Sequence, residues 1–216
     1  MEYFSDLRLR DLWFLTEAAG RTLLISTIAV LVGSLLGVFF GWLMHATGRI
    51  GRWSISAVLD IFRSVPLLIQ LVLFYNLFPI VGFPMSPFVA GTLVLTVYTT
   101  SLVSNVALSG IESVPRDLRR AARSLGMTYW QDFRYVVWPV GLRTVFPAWV
   151  GIALSVLKDS ALVSVLGYVE LLRASQMLIT RTQEAILILG LVGLFYFLLS
   201  FPVARLASMY EKRWNQ

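Results

Sequence analysis

Within long apolar stretches of this 216-residue chain stand a few residues able to do chemistry. Asp60, Arg63 and Gln70 share one stretch and Asn105 lies in a second, while Lys158, Asp159 and Ser160, closely followed by Leu162, interrupt a third. Arg63 or Lys158 can meet a carboxylate, Asp159 can meet an ammonium, and amides and hydroxyls can orient a ligand by hydrogen bonds. In a dry setting each such contact counts for more than in water. This is the chemistry of holding a small charged molecule. A structural role is equally open to the charges: Asp60 and Arg63 stand three residues apart, and Lys158 adjoins Asp159, so each pair could serve helix packing alone.

Bond-breaking chemistry lacks its parts. The chain has no Cys and a single His, His45, at the edge of an apolar run. No Ser, His and Asp or Cys and His arrangement can be assembled from that set. Disulfides, iron-sulfur clusters and thiolate-zinc sites are excluded, a histidine-built metal site is disfavoured, and no cofactor is expected. No GxxxxGK[ST] segment is present to cradle a nucleotide, so energy for any work must come from another subunit.

The elements that position these residues are membrane spans. Hydrophobic residues make up 57% of the chain and charged residues 14%, far from the soluble average. Residues 22–44, 64–111 and 185–204 carry no charged side chain, and each run reaches the roughly 20 residues needed to cross hydrocarbon. The expectation is an all-α polytopic membrane protein, a single transmembrane domain with about five spans at 22–44, 57–78, 88–111, 144–169 and 185–206. In the first, Gly33, Gly37 and Gly41 recur every fourth residue, a face that admits a close neighbour helix. In the third, Tyr98, Thr99, Thr100, Ser101, Ser104 and Asn105 are too polar for a lipid-facing wall and should face a helix or cavity. Lys158 and Asp159 should break the fourth span where it lines water or protein. The first twenty residues mix charges of both signs, unlike a cleavable signal peptide, so the N-terminus is expected to be retained.

One long hydrophilic loop, 112–143, bears Arg116, Arg119, Arg120, Arg123, Arg134 and Arg143. After Pro115, Leu118, Ala121, Ala122 and Leu125 recur at helical spacing, which predicts a short helix with an apolar face and an arginine face, stopped at Gly126. Thr128 and Gln131 form a capping box for a second short helix, expected to end near Pro139. Of the 18 Lys and Arg, twelve (Arg49, Arg52, Arg63, the loop six, Arg205, Lys212 and Arg213) fall on one side of five spans, putting the loop in the cytoplasm and the N-terminus outside. The net charge of +6 is explained by that bias rather than by nucleic acid. The amphipathic helix could dock in a partner's groove or lie on anionic lipid; pattern alone does not choose.

Four segments carry a family resemblance that spans the chain from Gly20 to Arg213. Arg120-Ala121-Ala122, Gly126 and Val136-Val137-Trp138-Pro139 resemble, at matching spacing, the EAA loop of ABC importer permeases. Asp60-Ile61-Phe62-Arg63-Ser64-Val65-Pro66-Leu67-Leu68-Ile69-Gln70 resembles the E-x-x-RGTP-LL-x-Q segment of the polar amino-acid branch, Gly110 to Pro115 its GI-x-SVP, and Lys158 to Val163 its K-D/S-T/S-S-L-V. The order is that of the family. Three positions depart: Arg120 replaces the loop glutamate, Asp117-Leu118 replaces Gly-Gln, and Asn105 and Leu108 replace a glutamate and an arginine of the third span.

The resemblance implies a type I, MetI-like ABC importer permease of a bacterial inner membrane, with its C-terminus cytoplasmic. It implies that the loop is a coupling helix seated in a cytoplasmic ATPase, with Arg120, Ala121, Ala122, Leu125, Gly126 and Pro139 as coupling residues. The partners implied are two ATPase copies, a second identical or similar permease chain, a periplasmic or lipid-anchored amino-acid-binding protein and membrane lipid. The substrate implied is a polar amino acid, with Arg63, Gln70, Asn105, Lys158, Asp159, Ser160 and Leu162 as substrate-binding candidates. The Phe62-Arg63-Ser64-Val65-Pro66 segment and Asn105 lean slightly toward an acidic or amide side chain, with basic amino acids left open. The competing reading is a secondary, ion-coupled transporter that needs no ATPase, although no repeat symmetry between halves supports it.

Overall fold

The computed structural model describes residues 7–214, which are helical with no strand among them. α1 runs Leu9–Ala46, 38 residues without a break. The span expected at 22–44 is therefore only the inner part of a helix that starts thirteen residues earlier. Partners distant in sequence make the difference. Asp11, buried, caps the start by accepting from the Arg8 backbone N–H at 2.9 Å and also accepts from Arg181 at 2.6 Å. Leu15, Ala18 and Ala19 pack on Leu171, Ala174 and Leu178. A charge neutralised by a residue far along the chain no longer argues against a helix, but hydropathy cannot see it.

The second expected span, 57–78, is two helices: α2, Gly48–Ser64, and α3, Leu67–Ile80, bent by 98°. Pro66 is the cause. Its ring drives Val65 to φ −84°, ψ 129°, extended rather than helical, and its missing N–H cannot continue the ladder. The carbonyls left open at the end of α2 are taken up by Gln70, whose Nε2 donates to Phe62 O and Val65 O, each at 2.7 Å.

α4, Pro87–Glu112, matches the third expected span closely. Ser86 caps it and Pro87 opens it, the favoured pairing at a helix start. Its principal partner is α1, along the glycine seam. A Cβ on Gly33 would lie 2.6 Å from Thr99 Cβ, one on Gly37 2.6 Å from Val103 Cβ, and one on Gly41 2.7 Å from Ala107 Cβ. Backbones meet there because no side chain stands between them. Thr99, Thr100, Ser101 and Ser104, buried on this helix, satisfy their hydroxyls on carbonyls of the preceding turn, which makes them tolerable in an apolar setting.

The predicted loop helix is α5, Arg116–Ser124. The Thr128 and Gln131 capping box opens α6, Tyr129–Asp132. That helix does not end near Pro139, as expected from the sequence. It passes through a π-helical turn, Phe133–Val137, into α7, Trp138–Asp159, which leads into a 3-10 turn, Ser160–Leu166. Pro139 falls in the first turn of α7, where the wider π turn has offset the ladder and its missing N–H costs nothing. The fourth span expected at 144–169 thus belongs, as far as Leu166, to one helical run, 129–166, and in place of the break expected at Lys158 and Asp159 the winding changes to 3-10 from Ser160. The polar stretch after it holds α8, Leu171–Thr182, and the last span, expected at 185–206, is α9, Ala185–Trp214.

By length and composition α1, α4, the 129–166 run and α9 can each cross a membrane, and the bent α2–α3 pair makes five if it counts as one span. Gly37→Leu should drive α1 from α4 and lower folding stability by several kcal/mol at most, about 1–3 by the usual cost of overpacking. Gly20→Leu, at a position with no atom within 4 Å of a Cβ, should leave the melting temperature in detergent unchanged. Equal melting temperatures for both variants would contradict the seam.

Candidate functional site

The 3-10 turn Ser160–Leu166 packs on α3 and α4, and its Val163 and Leu166 join Leu67, Leu71, Val94, Leu95 and Val156 in the largest apolar cluster. This contact brings α3, which carries Gln70, together with the Lys158 to Leu162 segment. Ser160 is buried and its hydroxyl donates to Leu157 O at 2.8 Å. Leu162 and Tyr98 pack against the same cluster. Asp159 is half-buried and accepts from the Ser155 hydroxyl at 3.2 Å through Oδ2, while Lys158 is exposed.

Gln70 is 3% exposed, and its Oε1 is buried without a hydrogen-bond partner. The amide cannot turn to relieve this, because two carbonyl oxygens face its nitrogen. Arg63, at the end of α2, is ion-paired with Asp60, whose carboxylate also accepts from Ser56, so the local pair allowed by their spacing is formed. Asn105 is half-buried about two turns along α4 from Tyr98 and is not in the apolar cluster. The sequence candidates therefore divide: Lys158, Asp159, Ser160 and Leu162 lie on or next to the turn that packs on α3, the helix of Gln70, while Arg63 pairs locally with Asp60 and Asn105 lies farther along α4.

At the other end of the 129–166 run, α5 lies almost wholly exposed. Leu118 is 43% and Leu125 80% exposed, Ala121 is exposed, and of the apolar face only Ala122 is buried. Arg120 pairs loosely with Asp117 at 3.4 Å, both in solvent. Arg116, Arg119, Arg120 and Arg123 border a cationic recess. Gly126 takes φ +81°, a left-handed stop that lets Met127 N–H reach Ala122 O at 3.2 Å. The loop helix thus presents an exposed apolar stripe flanked by arginines.

Three functional-looking groups escaped sequence reading. Glu170, fully buried, caps α8 by accepting from the backbone N–H groups of Leu172 and Arg173, and Tyr196 of α9 donates to it. Burial pushes its carboxyl up, against the pull of those donors. Asp132, 1% exposed, takes Arg119 Nε at 3.1 Å. Trp42, near the end of α1, donates to the Tyr129 hydroxyl at 3.2 Å and stacks on Trp130. Their only sequence signal was a polar or aromatic side chain, and each acquires meaning from a partner on another element.

The model of the binding-protein-dependent transport system inner membrane component matches residues 24–216. The chain belongs to this family. Among its relatives, the probable glutamine ABC transporter permease protein GlnM of Bacillus subtilis is 30% identical over 192 residues, covering 89% of each chain. A crystal structure of an amino acid ABC transporter with histidines superposes with a TM-score of 0.87 at 28% identity, over 99% of both chains. An inward-facing MetNI methionine ABC transporter superposes with a TM-score of 0.78 at 23% identity over 94% of this chain, a likeness of fold. The fold and the family expected from the sequence are thus those found.

The stop at Gly126 makes a sharp prediction for this permease. A Cβ there meets no atom within 4 Å, so any penalty is backbone strain alone, about 1–2 kcal/mol for a side chain in the left-handed region. Gly126→Asn, which tolerates that region, should keep transport near wild type. Gly126→Val should insert normally but lose most transport, measured as uptake per unit of permease in vesicles. Full uptake by Gly126→Val would dissociate the loop from function.

Proposed function

We propose that this chain is the permease subunit of an ATP-driven importer for a polar amino acid of the bacterial inner membrane. In this reading it pairs with a second permease chain, identical or similar, above two ATPase subunits that receive α5, and accepts substrate from a separate amino-acid-binding protein. The N-terminus faces outward and the loop and C-terminus face the cytoplasm. The observation that supports this most is the end-to-end likeness to an amino acid ABC transporter at 28% identity, together with an exposed α5 in family position.

The substrate route runs by the junction of α3, α4 and the Ser160–Leu166 turn. Asp159 supplies the negative charge for a substrate ammonium, and Gln70, its amide nitrogen spent on Phe62 O and Val65 O, holds the α2–α3 bend that borders the route. Lys158, exposed, meets the α-carboxylate. Arg63 shares its charge with Asp60 and sets the potential near the bend, which with the neutral amide of Asn105 favours an acidic or amide side chain over a basic one. Ser160 and Leu162 shape the turn that presents Asp159. ATP binding and hydrolysis belong to the partner subunit, since this chain offers no phosphate cradle.

Two experiments test the reading. Purifying the tagged chain from native membranes in mild detergent should bring down an ATPase, with or without a sister permease; the chain recovered repeatedly alone would favour an ion-coupled transporter. Asp159→Asn should weaken substrate affinity about tenfold or more, the cost of one charge-assisted hydrogen bond. Wild-type affinity in that variant would return Asp159 to a packing role.

A further inference from the structure

α5 makes its main packing on the stretch 129–137, the head of the long helical run. Among the described residues one ion pair joins it to another element, Arg119 with Asp132. Arg119 is turned inward, with 16% of its side chain exposed, whereas Arg116, Arg120 and Arg123 on the same short helix are exposed. It also lies 3.5 Å through Nη1 from Nε2 of His45, in the last turn of α1. Three elements therefore converge on one guanidinium.

Asp132 is the more telling partner. It is 1% exposed, Arg119 occupies its Oδ2, and its Oδ1 has no hydrogen-bond partner. Among the described residues the buried charge is thus compensated through Arg119, and separating α5 from α6 would strand it. The site is pinned on its other sides as well. The capping box of Thr128 and Gln131 fixes the start of α6, and Trp42 holds Tyr129 and Trp130 against the end of α1. From Asp132 the helix continues without interruption to Ser160, so a displacement of its head is carried toward the residues beside Gln70 and Asp159. The π turn just beyond Asp132 loosens the ladder at the head of the run, as is frequent at functional sites within helices.

We propose that the Arg119–Asp132 ion pair is the strut that transmits movement of α5 into the 129–166 helix, and hence to the substrate junction. Arg119 is a positioning residue: it touches neither substrate nor nucleotide. The inference rests on the permease reading above, because it requires an ATPase that moves α5. It adds to that reading which contact carries the motion, and it explains why one arginine of the cationic helix is turned inward while its neighbours face outward.

The test uses the whole complex, purified with its co-purifying ATPase and placed in proteoliposomes together with an amino-acid-binding protein, with labelled L-glutamine as probe. Uptake per ATP hydrolysed is the readout, since a merely structural role would lower both together. Arg119→Gln and Asp132→Asn should each retain the ATPase and its hydrolysis, while uptake per ATP falls about tenfold, the scale of coupling contacts within a protein. The reversed pair, R119D with D132R, should recover to within about threefold of wild type. Wild-type uptake per ATP in either single variant would overturn the proposal, and so would a reversed pair that assembles yet stays uncoupled. If a single variant fails to assemble, the reversed pair decides alone by the same ratio. Absence of ATP-dependent uptake in the wild-type complex would instead overturn the permease reading, so the two failures are distinguishable.

Discussion

Gly33, Gly37 and Gly41 bring the backbones of α1 and α4 to a separation that any side chain would prevent. In lipid, helices gain little from hiding apolar surface, so association depends on close packing of this kind. α4 then serves as the central post: α3, α7 and the Ser160–Leu166 turn all pack on it, and the polar residues of its middle face those neighbours with their hydroxyls satisfied internally. α1 extends beyond the seam at its N-terminal end, where Asp11 and the Leu15 face hold α8, and at its C-terminal end Trp42 and His45 reach the coupling loop. One close contact between two helices thus sets the distance between the outer helix α8, the junction of α3 with the Ser160–Leu166 turn, and α5.

The second organising feature is continuity. A permease driven from the cytoplasm must convert a push on a small amphipathic helix into a change at a site within the membrane. A single helical run from Tyr129 to Leu166 meets that need: its head lies under α5 and its 3-10 tail carries Ser160 into the junction with α3. Helices transmit displacement because their backbone bonds are satisfied along their length, and packed interfaces shift between discrete arrangements. Local departures from α geometry occur on this run at two places, the π turn beside Asp132 and the 3-10 turn after Asp159.

Much of this was legible in the sequence, for reasons that can be named. The glycine face, the Thr128 and Gln131 capping box, the stop at Gly126 and the bounds of α4 follow from local rules that need no distant partner. The coupling segment was readable because its spacing is shared by a family. What sequence could not convey depends on tertiary partners. Charges at Asp11 and Glu17 marked the first residues as outside the membrane helix, yet Arg181 and the α8 surface make them helical. Pro66 was visible, but whether it kinks a helix gently or turns it by 98° is decided by how the freed carbonyls are satisfied, here by Gln70. Pro139 was read as a stop because a π turn leaves no signature in composition. Gln70 has the chemistry of a binding group in the sequence, but its amide nitrogen is spent on the bend and its oxygen is buried. Arg63 likewise forms the local pair with Asp60 that their spacing allowed.

The account stands on ATP-driven transport through this chain, and the most direct measurement is uptake of labelled glutamine or glutamate into proteoliposomes bearing the purified complex and an amino-acid-binding protein. With ATP on the side of the coupling loop and no ion gradient, the account predicts accumulation against the substrate gradient, abolished when ATP is withheld. Accumulation without ATP, driven by an imposed ion gradient, would contradict it.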